Sequence, residues 1–389
     1  MRGFTITMLA VLAVGCGKMN VPSIFSENPD ARWDAKMRSG LAAMDSRQFA
    51  TAEFEFGGAL ETAKKLAGAE SKVAISAQAL ATCKLALGQA TAALALAEEG
   101  LAMAEKLQPA DEHLTAMLLL QQGRAHELLA DFPKAEQSLD KSLELFKSAK
   151  DAEGEQYDVL MAQSILYQAT GRPKKSQSTL AAAIELQKKR ETLGKESEAL
   201  AALYCGMGRT LMELDKFDEA GDFYQRATLI YKAIREQKPK SEDGTVEEGG
   251  PTAAETWVAA NATCLLTLRN QPVNVVGVLS QALRLLEERL STNSREVLFV
   301  QRELGRALLA DDKAELAESL LRKNLNSTQE LFAKNHTEVA KTLELFADAL
   351  RKNDHKHEAD EAMARAKEIF DSHKSLREVA VVSGKTPGG

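Results

Sequence analysis

A pair of small residues, twelve positions apart, recurs along almost the whole of this 389-residue chain. The first member lies in one predicted helix and the second opens the next helix. Successive first members are about 42 residues apart, with one longer step between Gly208 and Thr263. A period of this length is typical of stacked helical hairpins, which present an extended binding surface. The clearest pairs are Gly40 and Ala52, Ala81 and Ala93, Gly123 and Ala135, Gly208 and Ala220, Gly305 and Ala317, and Ala347 and Ala359, with weaker copies at Ser164 and Ser176 and at Thr263 and Val275.

The composition favours helix throughout and argues against several function classes. Aromatic residues make up 5% of the chain and there are nine prolines, while Ala, Leu, Glu and Lys are abundant. The formal net charge is -7, whereas nucleic-acid binders usually carry a basic face, so we expect no nucleic-acid partner. No zinc-protease, phosphate-loop or nucleophile-elbow motif occurs, so we expect no enzyme activity, no cofactor and no metal site.

Three cysteines lie on predicted first helices of three different repeats: Cys83, Cys205 and Cys264. Their spacing fits neither a disulfide framework nor a set of metal ligands. We expect them to be buried as small hydrophobic residues, with a redox role as the alternative.

The fifth unit shows how each hairpin is built. Met207, Gly208 and Leu211 lie on one face of a predicted helix, and Asp215-Lys216 makes the turn. Gly208 and Ala220 are small because two helices approach closely only where side chains are short. Tyr224 is predicted to fill the space around that contact.

This unit resembles the tetratricopeptide repeat. The resemblance rests on Met207-Gly208-Arg209-Thr210-Leu211, Phe217-Asp218-Glu219-Ala220, Tyr224 and Ala227. The unit is longer than the usual 34 residues, and the stretch from Asn335 to Ala340 is similar to the kinesin-light-chain subclass. The resemblance covers Trp33 to His373 as about eight units, and it implies an all-α, right-handed superhelical solenoid of antiparallel helix pairs. A helical array of another family is the alternative.

The N-terminus resembles a bacterial lipoprotein signal. Arg2 precedes an apolar run from Phe4 to Val14, which is too short to cross a bilayer, and the run ends just before Cys16. The resemblance implies a signal peptide over residues 1–15, a lipid on Cys16, and export to the bacterial cell envelope with a membrane anchor. The non-acidic Gly17 implies the outer membrane in a Gram-negative host. An ordinary signal peptide with an incidental cysteine is the alternative.

The rest of the chain divides around one insertion. We predict a membrane tether over residues 16–31, repeats one to five over 32–235, an acidic Gly/Pro loop over 236–252, repeats six to eight over 253–374, and a C-terminal tail over 375–389. The loop is either a tolerated surface insertion or a divider between a five-repeat and a three-repeat block.

In tetratricopeptide arrays the first helix of each unit lines a concave groove, and this implies which side chains face it. The register places four arginines in a common groove, with two aromatic residues near them. Guanidinium groups bind carboxylates bidentately, and aromatic and Arg side chains are frequent interface anchors. We therefore predict that the groove binds an acidic or C-terminal-carboxylate segment of another protein. In the alternative, the arginines pair with acids of the groove itself, such as Glu127, Glu213 or Glu344. The predicted partner-binding residues are Arg124, Arg209, Trp257, Phe299, Arg302 and Arg306.

Together these patterns indicate a membrane-anchored scaffold that recruits a partner protein. The alternative is a structural envelope protein whose arrays self-associate end to end, and an enzyme is a distant third.

Overall fold

The structure is a computed structural model that describes residues 28–191, 197–236, 251–268 and 274–376, with the backbone alone at 267 and 268. The described residues form sixteen α-helices and no β-strand, so the predicted all-α solenoid is confirmed. The helices are α1 (Pro29–Asp45), α2 (Phe49–Ala63), α3 (Glu70–Ala86), α4 (Ala90–Ala104), α5 (Glu112–Leu128), α6 (Phe132–Ser148), α7 (Glu153–Ala169), α8 (Pro173–Arg190), α9 (Glu198–Met212), α10 (Phe217–Glu236), α11 (Ala253–Leu268), α12 (Val275–Glu287), α13 (Arg295–Ala310), α14 (Ala314–Leu331), α15 (Thr337–Lys352) and α16 (Lys356–Ser372).

Consecutive helices pack as eight hairpins, and the first helices of successive hairpins, from α3 to α15, also contact one another along the inner side. The predicted small-residue pairs lie at the contacts within the hairpins. Val275, in the weakest pair, is only half-buried. The second members of the other seven pairs are fully buried: Ala52, Ala93, Ala135, Ser176, Ala220, Ala317 and Ala359.

A large side chain lies directly against the glycine of each tight hairpin. A Cβ atom added at Gly208 would lie 2.6 Å from a ring carbon of Tyr224, and one added at Gly305 would lie 2.7 Å from Leu321. Real Cβ atoms essentially never approach other heavy atoms this closely. Glycine therefore permits the helix spacing that the large residue, sixteen positions later, fills.

The hairpin turns share a hydrogen-bonded helix stop. In the fifth hairpin Asp215 has a φ of 58°, and the N–H of Lys216 donates to the carbonyl of Leu211 at 2.9 Å. Six other hairpin turns also contain one residue with a positive φ, and the N–H of the next residue again donates to the carbonyl five positions earlier. The residues with positive φ are Arg47, Gly88, Ala130, Gly171, Asp312 and Asp354. This is the Schellman arrangement, which satisfies the last carbonyls of a helix.

The first helix begins earlier than the sequence indicates. It starts at Pro29, inside the segment 16–31 predicted as tether, because the Asn28 side chain accepts a hydrogen bond from the N–H of Asp30 at 3.1 Å and proline suits the first helical position. Cys16, the predicted signal peptide, the rest of the tether, residues 237–250 of the predicted loop and the tail from residue 377 lie outside the described residues. Among the helices described, none combines the length and apolar character needed to cross a membrane.

Successive turns of the superhelix contact each other. The N–H of Ala333 donates to the carbonyl of Leu128 at 2.9 Å, and the Thr337 hydroxyl donates to the carbonyl of Ala169 at 2.7 Å. Repeat three therefore contacts repeat seven, and repeat four contacts repeat eight. The array completes one turn in about four repeats, and the first helices surround a narrow interior.

Substitution of Gly208 by Ala tests the close helix contact. We expect a loss of about 1–3 kcal/mol in the free energy of unfolding, because the added methyl group displaces the Tyr224 ring. The measurement is the urea midpoint followed by far-UV circular dichroism.

Gly57→Ala is the matched control, since a Cβ atom there meets nothing within 4 Å. Its midpoint should stay unchanged or rise, because Ala is the better helix former. Equal losses in the two variants would contradict the argument.

Candidate partner-binding cavity

The interior of the superhelix contains two adjoining cavities. The central cavity, of about 330 Å³, is lined mainly by the first helices of repeats four to eight, with Arg47 and a few residues of second helices and connecting loops. The adjoining cavity, of about 340 Å³, shares Arg209, Phe299 and Arg302 with it. First helices thus line the interior, as the resemblance implies, and five of the six predicted groove residues come together there.

Four of those residues form an arginine–aromatic cluster: Arg209, Trp257, Phe299 and Arg302. The rings of Trp257 and Phe299 meet edge to face with centroids 5.0 Å apart. The guanidinium carbon of Arg209 lies 5.4 Å from the Trp257 centroid and 5.0 Å from that of Phe299. These distances suit cation–π attraction, which holds the Arg209 side chain against the wall of both cavities.

Arg209 keeps its hydrogen-bonding capacity toward the cavity. It is half-buried, and no carboxylate of the described residues forms an ion pair with it. A guanidinium presents five N–H donors in a planar fork, so Arg209 can receive a carboxylate that enters the cavity.

Arg302, in contrast, pairs inside the protein. It is 7% exposed, and its guanidinium donates to Glu338 at 2.5 Å and to Glu303 at 3.4 Å. Burial alone would lower the pKa of Arg302, but the two carboxylates raise that pKa above its ordinary value. Neither acid is among the three that the sequence indicated as internal partners.

Arg306 shares Glu303 with Arg302 but lies at the surface. Its Nε donates to Glu303 at 3.1 Å, and its side chain is 55% exposed. The Arg306 guanidinium thus borders the adjoining cavity while remaining largely hydrated.

Arg124 lies apart from this cluster, on α5. It is half-buried. Burial lowers the pKa of Arg124, the nearby Asp158 raises it, and Arg295 lowers it further. The predicted common groove therefore holds five residues in contact with the two cavities, and Arg124 occupies a separate position.

Both cavities carry an excess of positive charge in a protein that is acidic as a whole. Two acidic and four basic side chains line the central cavity, the basic ones being Arg47, Arg209, Arg295 and Arg302. The adjoining cavity again has four basic and two acidic residues, with Arg306 and Lys341 replacing Arg47 and Arg295. Neither Arg47 nor Arg295 was among the predicted residues. Arg47 comes from the hairpin turn of repeat one, whereas Arg295 lies one helical turn before Phe299 on α13, so the register of that helix could have indicated it.

The cysteines are buried, as predicted. Cys205 lines the central cavity and Cys264 the adjoining one. Burial raises the pKa of Cys205 to about 12, so its thiol stays protonated at neutral pH. Within the described ranges no group of three His, Cys, Asp or Glu side chains is placed to hold a metal ion.

Comparison with known proteins identifies the architecture. No family model and no curated protein matches the chain. Among solved structures, a Rap protein complexed with competence and sporulation factor aligns with a TM-score of 0.59 at 10% identity, covering 90% of this chain and 99% of that one. The apo quorum sensor NprR from B. thuringiensis aligns with a TM-score of 0.57 at 12% identity, covering 88% of each chain.

The apo form of RapI aligns with a TM-score of 0.51 at 11% identity, covering 88% of this chain and 99% of that chain. The fold is a tetratricopeptide-like helical solenoid. At these identities the similarity is one of fold, and it extends over most of the described repeats.

A matched pair of variants compares how much a buried and an exposed arginine ion pair in the cavity wall contribute to stability. Arg302→Met should reduce the free energy of unfolding by about 3 kcal/mol or more, because it leaves Glu338 and Glu303 without their shared buried partner. Arg306→Met removes a cation from the same Glu303 at an exposed position and should cost less than about 1 kcal/mol.

Urea denaturation of both variants beside the parent chain provides the measurement. Similar midpoints for the two would show that burial does not distinguish these arginines.

Proposed function

We propose that this protein is a membrane-anchored interaction scaffold that takes an acidic segment of a partner protein, such as a C-terminal carboxylate, into the central cavity. The observation that carries the proposal is Arg209, a half-buried guanidinium that forms no ion pair with a carboxylate of the described residues and is held by two aromatic rings in a positively charged cavity. Charge-assisted bonds from such a fork give both affinity and geometric specificity.

The dimensions of the site support binding of a short segment. Each cavity is close to the lower end of the volumes found for ligand pockets, about 300–1,000 Å³. The two cavities adjoin through Arg209 and Phe299, so an extended segment can occupy both. The aromatic wall offers apolar contact, and the arginines offer the charged contact.

The structural similarity is consistent with this use of the fold. A Rap protein of similar fold is complexed with competence and sporulation factor, and NprR is a quorum sensor. A solenoid of this shape in the present chain therefore supports a role in recognising a partner, with Arg209 as the residue that selects an acidic one.

We further propose that a lipid on Cys16 holds the array at the bacterial cell envelope. The support is the resemblance of residues 1–16 to a lipoprotein signal. Stable anchoring needs two or more acyl chains, which lipoprotein processing would supply. The array would then restrict its partner to the membrane surface.

Partner capture with an Arg209 variant tests the binding site. The full chain is solubilised from native envelope, its partner is identified by mass spectrometry, and the purified pair is titrated. Arg209→Gln should weaken binding about tenfold or more, because a bidentate charged contact is lost. The affinity of the parent chain should also fall as salt is added.

Arg284→Gln is the matched control, since Arg284 pairs with Glu288 on an exposed face away from the cavities. It should bind as the parent does. Equal affinity of the parent and Arg209→Gln would contradict the proposed site. Capture of nothing except this chain itself would favour self-assembly instead.

Cys16→Ser tests the anchor. Cells grown with an alkyne-tagged fatty acid should label the parent chain but not the variant, and the variant should leave the membrane fraction. Cys205→Ser should keep both the label and the membrane association, because Cys205 is buried within the array. Continued labelling of Cys16→Ser would show that the lipid is attached elsewhere.

A further inference from the structure

A buried ion pair joins two turns of the superhelix. Glu127, near the end of α5, is 4% exposed and accepts hydrogen bonds from both terminal nitrogens of Arg295, at the start of α13. The two residues are 168 positions apart. Burial alone would raise the pKa of Glu127, but Arg295 and His336 together lower it to about 2, so the carboxylate stays ionised.

His336 adds a third member from repeat eight. It is fully buried, and its Nε2 lies 3.4 Å from Glu127. Its Nδ1 accepts from the N–H of Glu338 at 3.1 Å, so the neutral ring carries its proton on Nε2, which lies beside Glu127 without forming a hydrogen bond within the described residues. The ring packs on Phe332, with centroids 4.4 Å apart, and the Arg295 guanidinium carbon lies 4.8 Å from the Phe332 centroid.

Residues around this ion pair form part of the cavity wall. Arg295, Phe332 and Glu338 line the central cavity. Its enclosure therefore depends on whether repeat three stays against repeats seven and eight. Separation of the two turns would expose the cavity along this side.

We propose that Glu127, Arg295 and His336 form an inter-turn latch that keeps the solenoid closed and controls access to the central cavity. The role in admitting a partner rests on the proposed function; the latch itself can be tested on the chain alone. Closed, it shields the central cavity on the side where the two turns meet; open, it lets a segment enter the central cavity from that side.

The latch can open without unfolding a repeat. The Arg295 side chain is already 34% exposed, so water can replace Glu127 around its guanidinium. Beside the latch the turns meet through one backbone hydrogen bond, from the N–H of Ala333 to the carbonyl of Leu128, and one bond from the Thr337 hydroxyl to the carbonyl of Ala169. The Phe132 ring also packs edge to face on His336, with centroids 5.2 Å apart. Each hairpin, by contrast, is closed by extensive packing between its own helices.

Thiol labelling provides the test, since Cys205 lines the central cavity and Cys83 lies buried in another repeat. The full chain is treated with a maleimide, and modification at each cysteine is followed by mass spectrometry. Glu127→Gln should speed labelling of Cys205 about tenfold or more, because charged hydrogen bonds across the turn are lost. Labelling of Cys83 should not change.

Arg322→Gln is the matched control. It breaks the exposed contacts of Arg322 with Glu318 and Glu358, which lie within neighbouring repeats. It should leave both labelling rates unchanged. Small-angle scattering should show a larger radius of gyration for Glu127→Gln alone, with unchanged helix content by circular dichroism.

Two results would overturn the latch: an unchanged Cys205 rate in Glu127→Gln, or a parallel rise at Cys83 and Cys205, which indicates general loosening. Because no partner is present, failure here does not bear on the proposed function. Conversely, loss of partner binding in Arg209→Gln with parental labelling rates would leave the latch untouched.

Discussion

The close approach of two helices at a small residue determines the geometry of the array, and in four of the eight hairpins that residue is a glycine with a large side chain sixteen positions later. At Gly208 and Gly305 the missing side chain lets the two helices of a hairpin approach until Tyr224 and Leu321 lie against backbone. Each hairpin is thereby tightly packed. Because every hairpin packs on the next with a similar rotation, the short distances between helices within the hairpins determine the curvature of the superhelix. The narrow interior is a consequence of that spacing.

The interior then sets the chemistry of the cavities. The first helices face inward, so a charged side chain on their inner face lies in a confined space. The groups that surround it there determine whether it is paired inside the protein or can bind a ligand. Arg302 meets two carboxylates and serves packing, whereas Arg209 meets two aromatic rings and retains its donors. Two arginines on the inner faces of repeats five and seven thus have different uses, because different side chains surround them.

The sequence predicted the features that depend only on contacts within a repeat or between adjacent repeats. The small-residue pairs, the turn at Asp215-Lys216, the buried cysteines and the grouping of Arg209 with Trp257, Phe299, Arg302 and Arg306 all follow from register within first helices. It did not predict the contact of Glu127 with Arg295, because that contact depends on curvature summed over four repeats. The pairing of Arg302 with Glu338 has a counterpart on the following helices, where Arg322 pairs with Glu358, again with the acid 36 residues after the arginine.

The contacts between turns also change how such a chain acquires its structure. A linear array with neighbour contacts alone can form from any point and extend one repeat at a time. Here the end of repeat three is completed by residues 168 positions later, at the contact of Glu127 with Arg295. The final arrangement of the first half must therefore wait for synthesis of the second, and the higher contact order slows the last step of folding. Shortened chains that end before repeat seven would retain helices but expose the buried Glu127 carboxylate, so the minimal cooperative unit is larger than the repeat itself.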